Sequence, residues 1–131
     1  MKRKKSNKTK LKEKLEKLLK EYIRKRDNMT CQWCGKVVQG SNCHVSHVIP
    51  KSHGNVLRFD IMNLKILCFH CHLGCWHKNP IEAAEWFKGK FPLRWEYLQQ
   101  EKEKLVKFTE EDYQEQIDAI EELICIQRDN I

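Results

Sequence analysis

From Thr9 the chain sets Leu11, Leu15, Leu18 and Tyr22 at i, i+4, i+7 and i+11 among lysines and glutamates. That spacing is one face of an α-helix, predicted over residues 9–28 and expected to fray at Arg26-Asp27-Asn28. Residues 29–79 break the helical period. Glycines and a proline mark turns there, Val45, Val48 and Ile49 suggest a strand, and a second short strand fits Leu64 to Leu67. The helical pattern returns over residues 80–131. Asn79-Pro80 reads as an N-cap followed by proline at the first helical position, opening IEAAEWFKGKF. Pro92 opens PLRWEYLQQEKEK, and Thr109 with Asp112 three residues on resembles a capping box. The last helix carries Tyr113, Ile117, Ile120 and Ile124 on one face. The expected class is α+β and mainly helical, with a small kernel flanked by N-terminal and C-terminal helices. Residues 1–8 read as a mobile basic arm, and residues 9–131 as one domain.

Composition narrows this picture. The 131 residues are 40% hydrophobic and 33% charged, and no run approaches the ~18 apolar residues of a membrane span. The polybasic start has no apolar stretch behind it, so it does not read as a secretory signal, and a cytoplasmic setting is expected. Charge is segregated along the chain. Residues 1–20 are net +8, residues 21–100 net +5 and residues 101–131 net −6. A basic arm on a basic body points to a polyanion, with nucleic acid the leading candidate. Lys2, Arg3, Lys4 and Lys5 of the arm, with Lys51, Arg58 and Lys78 among the histidines, are the candidate phosphate contacts.

Cysteine usage points to a metal. Cys31 and Cys34 form one C-x-x-C, and Cys68 and Cys71 form another. In a reducing compartment such pairs are zinc ligands more often than disulfides, because each tight turn supplies two thiolates to a tetrahedral ion. A structural Zn2+ is therefore expected, coupled to folding. Cys43, Cys75 and Cys125 fall outside the pairs and read as buried packing residues. Trp76, Trp86, Phe87 and Trp95 read as core, and His70 as a surface residue.

The segment CHVSHVIPKSHG lies between the two cysteine pairs. His47 stands in SHVIP, Asn63 follows in MNL, and His72 directly follows the last cysteine of the second pair. The order C-x-x-C-G … S-H-V-I-P … N-L … L-C-x-x-C-H resembles the HNH nucleases of the ββα-metal (His-Me finger) superfamily. The runs KLEKLLKEYIRKRD, LRFD-x-x-N and TEED are similar, over about residues 9–125, to the phage recombination endonucleases called NinG or Rap. The resemblance implies a zinc-stapled ββα-metal kernel and a phage-encoded, metal-dependent DNA endonuclease. His47, Asn63 and His72 would be its catalytic residues, and a single nick its primary product.

Under that reading His47 is the general base, since an imidazole titrates near neutral pH. Asn63 fixes the loop that orients it, and His72 holds a divalent cation, Mg2+ or Mn2+. Many HNH enzymes carry Asp before the catalytic histidine, where this chain has Ser46. Ser46, His44, Asp60 and His77 are the remaining candidate ligands, with Asp60 also read as a structural partner of Arg58. Two alternatives compete with the nuclease: a non-enzymatic zinc-finger DNA-binding module, and a packaging factor that docks a terminase partner.

Overall fold

The structure, a computed structural model, describes residues 3–129. Lys2 lies outside them. Helix α1 runs Asn7–Arg26, two residues earlier than the apolar period alone suggests, because the Ser6 side chain accepts a hydrogen bond from Thr9 N–H. Leu15, Leu19 and Ile23 are its buried positions, with Leu11, Leu18 and Tyr22 half-buried. The buried stripe is rotated from the predicted one because α1 packs against two neighbours, the C-terminal helix and the sheet.

Helix α1 ends at Arg26, within the Arg26-Asp27-Asn28 stretch where its end is expected, and that end is held by hydrogen bonds. The Asp27 carboxylate accepts from Ile66 N–H at 2.9 Å and from Arg26 Nε at 2.9 Å, which ties the helix end to the second strand. Arg26 also donates to the carbonyls of Ile61 and Leu64.

Strand β1, His44–His47, pairs antiparallel with β2, Leu64–Leu67, with His44 opposite Leu67 and His47 opposite Leu64. The strand therefore ends at His47, and Val48 and Ile49 enter the following loop. All four residues of β2 are buried, being covered by α1 on one side and by the next helical segment on the other. That segment, His70–Trp76, is a π-helix. It is followed by α2, Pro80–Lys90, and α3, Pro92–Glu101, each opened by its proline. Helix α4, Glu110–Asp129, is entered through the capping box, with Asp112 N–H on Thr109 Oγ1 at 3.1 Å and Thr109 N–H on Asp112 Oδ2 at 2.8 Å.

Two apolar clusters result. One joins α1, α4 and the sheet around Ile23, Ile66, Tyr113 and Ile117. The other joins Val48, Leu57, Phe87 and Leu98 beneath the loop that leaves β1. Trp76 packs against both, and Trp33 stacks on Trp86 with ring centroids 4.8 Å apart. Among the described residues, no helix is long and apolar enough to cross a membrane.

Candidate active site and metal centre

The two C-x-x-C turns converge beside the end of β2. Gly35 takes a φ of 77°, which lets the first turn close with Gly35 N–H on Cys31 C=O at 2.9 Å. Gln32 N–H then bonds the carbonyl of Ile66 at 2.9 Å, setting this turn against the second. The Sγ atoms of Cys31, Cys34, Cys68 and Cys71 all lie within 4.8 Å of one another, with Cys34 and Cys68 3.9 Å apart. Four thiolates ~2.3 Å from a tetrahedral zinc would sit about 3.8 Å apart, so the cluster fits that ion.

The thiols respond differently to their surroundings. Burial works to raise Cys31, but N–H donors from Cys34, Cys68 and Trp33 outweigh it and bring the group down to about 7. Burial raises Cys34 and Cys71, the latter further through hydrogen bonds with Cys68 and Cys31. Such crowded thiols resist ionising together until a cation balances them.

His47 ends β1, and its Nε2 lies 2.9 Å from the carbonyl oxygen of Arg58. A carbonyl only accepts, so Nε2 carries the proton and Nδ1 keeps its lone pair. Burial lowers the pKa of His47, with the charges of Lys51, Lys65 and Arg58 acting in the same direction and the Arg58 carbonyl against them. The ring is neutral at pH 7.

The loop that supplies this carbonyl is held by Asn63, whose side chain is fully buried. Asn63 Oδ1 accepts from Ile49 N–H at 2.7 Å. Its Nδ2 donates to Ile49 C=O at 3.0 Å and to Leu57 C=O at 3.0 Å. Both ends of the loop thus hang on one amide.

Three further histidines form a chain. His44 Nε2 donates to the Ser41 carbonyl at 2.9 Å, which leaves His44 Nδ1 as acceptor for His72 Nδ1–H, 2.9 Å away. His72 Nε2 is then left with a lone pair, 3.0 Å from His77 Nε2. The π-helix makes this pair possible. His77 N–H bonds the carbonyl of His72 at 3.1 Å, five residues back, whereas α-helical winding would turn the two side chains about 140° apart. Burial, then the charges of His77 and His44, lowers His72 to about 4, so its imidazole is neutral and able to ligate. Two nitrogens at right angles on one ion, each ~2.1 Å from it, would stand about 3.0 Å apart, so His72 and His77 suit a shared cation. His44 orients the His72 ring from behind.

Ser46 and Asp60 are engaged elsewhere. Ser46 is 1% exposed, and its Oγ accepts from Lys65 Nζ at 3.3 Å. Lys65 is itself fully buried, with Nζ 3.4 Å from the Trp76 ring centroid. Burial and the Lys65 contact keep Ser46 Oγ engaged inside the fold. Asp60 accepts from Met62 N–H at 2.8 Å and from the Tyr97 hydroxyl. Its partners are therefore Met62 and Tyr97 rather than Arg58, because its carboxylate caps the turn Ile61–Asn63.

A cavity of about 680 Å3 gathers His47, His72, His77, Lys51 and Arg58. Arg58 Nε is buried with no hydrogen-bond partner among the described residues. Glu16 and Lys20 of α1 and Trp95 of α3 line the same cavity. Sequence reasoning passed over the first two because nothing in a lysine-rich helical repeat marks the turn that faces a distant strand. Lys78 is exposed beside His77, and Arg3, Lys4 and Lys5 are exposed ahead of α1, with Lys5 paired to Glu13 at 2.8 Å.

His70 is exposed, as expected. Cys43 and Cys75 are only half-buried, and Cys125 is exposed, because the buried stripe of α4 passes through Ile124 and leaves the next position outside. No curated protein and no solved structure matches the chain. The family described as HNH endonuclease matches residues 31–74, a segment that begins at Cys31 and contains both cysteine pairs, His47, Asn63 and His72, and this similarity supports a nuclease.

Proposed function

We propose that this chain is a metal-dependent DNA endonuclease in which His47 is the general base. The observation that carries the reading is the anchored imidazole. With Nε2–H on the Arg58 carbonyl, Nδ1 is the atom left to take a proton, and it belongs to a ring that shares a cavity with His72, His77, Lys51 and Arg58.

In this mechanism His47 Nδ1 accepts the proton of the water that attacks phosphorus, a role worth about 10²–10⁴ in rate. Arg58 and Lys51 bind the non-bridging oxygens and hold the phosphate in line. Asn63 keeps the loop closed and so keeps the imidazole aimed. His72 and His77 would hold a divalent cation, which supplies positive charge to the departing 3′ oxygen. Imidazole donors without a carboxylate suit Mn2+ better than Mg2+, so cleavage is expected to be faster with Mn2+. One such site per chain cuts one strand per encounter, giving nicks. The basic arm adds sequence-independent phosphate contacts. The resemblance to NinG and Rap enzymes supports a phage origin and a place in recombination.

The test is nicking of supercoiled plasmid with Mn2+ or Mg2+ by wild type and by His47→Ala. The variant must keep its zinc content and far-UV spectrum. Nicking abolished in the variant alone supports the assignment. If wild type binds DNA but cuts it with neither ion, the chain is a zinc-stapled binding module instead.

A further inference from the structure

The lining of the catalytic cavity mixes two unlike sets of residues: His47, His72, His77, Lys51 and Arg58 are polar or charged, and Val48, Ile49, Pro50, Pro80, Ala84 and Trp95 are apolar. A second, shallower depression of about 430 Å3 is lined by Pro80, Ile81, Ala84, Glu85, Lys88 and Trp95. Pro80, Ala84 and Trp95 belong to both, so the apolar lining continues out of the catalytic cavity, past Trp95, onto the outer face of α2. Ile81 stands on that face with 78% of its surface exposed.

Phosphate has no use for such a lining, which offers it neither charge nor donor. A flat, weakly polar ring does, because it can stack on the indole and lie against proline and isoleucine. In a paired duplex the bases are stacked on one another and turn only their edges outward. An unpaired nucleotide can rotate its base onto the apolar lining while its phosphates stay with the cations. Lys51 lines the catalytic cavity, and Lys88 lines the far depression together with Glu85, so a cation is present at each end for the phosphates. Trp95 also has the fewest aromatic obligations of the indoles here. Among the described residues its ring pairs with Phe87 alone, at 6.3 Å, whereas Trp33, Trp76 and Trp86 pair with one another.

We propose that the apolar shelf formed by Pro80, Ile81, Ala84 and Trp95 receives unpaired nucleobases next to the scissile phosphate, so that the preferred substrate is DNA carrying single-stranded nucleotides at the cut. The proposal rests on the nuclease reading for the word "scissile", but the shelf itself is a binding site and is tested by binding.

Two variants are suitable. Ile81→Ser removes exposed apolar surface without changing charge, at a side chain that is 78% exposed. Trp95→Leu removes the stacking face but keeps an apolar side chain over Phe87. Anisotropy of a short fluorescein-labelled oligothymidylate, without added divalent cation, reads the shelf directly, with a fully paired duplex as reference. Cleavage of a duplex containing a short unpaired gap, compared with its fully paired counterpart, reads the consequence.

Wild type should bind the oligothymidylate and cut the gapped duplex faster than the paired one. Each variant should lose about tenfold on the unpaired ligands, the effect of one stacked base, and nothing on the paired duplex. Equal losses on both ligands, or no loss on either, would overturn the proposal. If wild type cuts neither duplex while the variants still lose oligothymidylate binding, the shelf stands and the catalytic reading falls.

Discussion

Replacing Asn63 with alanine separates a positioning residue from one that touches substrate. Its amide makes three hydrogen bonds, to Ile49 N–H, Ile49 C=O and Leu57 C=O, from a side chain with no exposed surface. Alanine leaves a backbone donor and two carbonyls without those partners. An orphaned buried group costs about 1–3 kcal/mol. The two carbonyls retain second lone pairs for water that enters the vacated space, so the net loss is about 3 kcal/mol. Urea unfolding at fixed zinc concentration measures it. Because the same loop delivers the Arg58 carbonyl to His47, nicking at a temperature where the variant is folded should also fall, through kcat rather than KM. Asn63→Asp keeps the acceptor for Ile49 N–H but points a carboxylate at two carbonyls, and should be no more stable than alanine. A stability loss below about 1 kcal/mol would show that Asn63 does not hold the loop. Lost nicking with stability intact would mean that Asn63 meets the substrate itself.

Cys68→Ser should bind less zinc and unfold with the kernel, measured by metal content and far-UV circular dichroism; a folded, zinc-free protein would contradict the four-thiolate centre. The lowered pKa of His47 means that the base stays neutral below its ordinary value, so the acid limb of kcat/KM should fall below pH ~6.5. The same shift makes its contribution to stability complete above pH ~6.5 and lost as pH falls through the folded pKa; an acid limb at or above 6.5 would refute it. Burial, aided by the charge of Arg94, holds the Lys65 pKa well down, so the unfolded chain binds that proton more readily. Lys65→Met should therefore stabilise the protein at pH 7 by about 1–3 kcal/mol. The gain should shrink as pH rises toward ~10.4, where the unfolded lysine also loses its proton. A less stable Lys65→Met at pH 7 would show that the amine is needed by Ser46 or Trp76.

The elements with strong local signals are legible in the sequence itself. The α4 stripe, the Thr109–Asp112 box, the two prolines that open α2 and α3, and the strand at Leu64 to Leu67 all depend on neighbours in sequence, and the structure has them there. The four-cysteine cluster is legible too, because a C-x-x-C turn is a local object and two of them imply a shared ion. The resemblance of the order C-x-x-C-G … S-H-V-I-P … N-L … L-C-x-x-C-H to HNH nucleases is what brings His47, Asn63 and His72 forward as candidates.

Tertiary structure decided what each of those groups faces. Ser46 and Lys65 lie on separate strands, and only the β1–β2 register sets them opposite each other. Asp27 stands at the expected end of α1, and only the fold brings Ile66 N–H to it. His72 and His77 become neighbours because the chain winds as a π-helix there. The proton on His47 is assigned by a carbonyl eleven residues away. Sequence determined which chemical groups this protein has and which short segments present them. Their protonation, partners and shared cavity depend on distances between residues far apart in the chain, and those exist only once the apolar faces have packed.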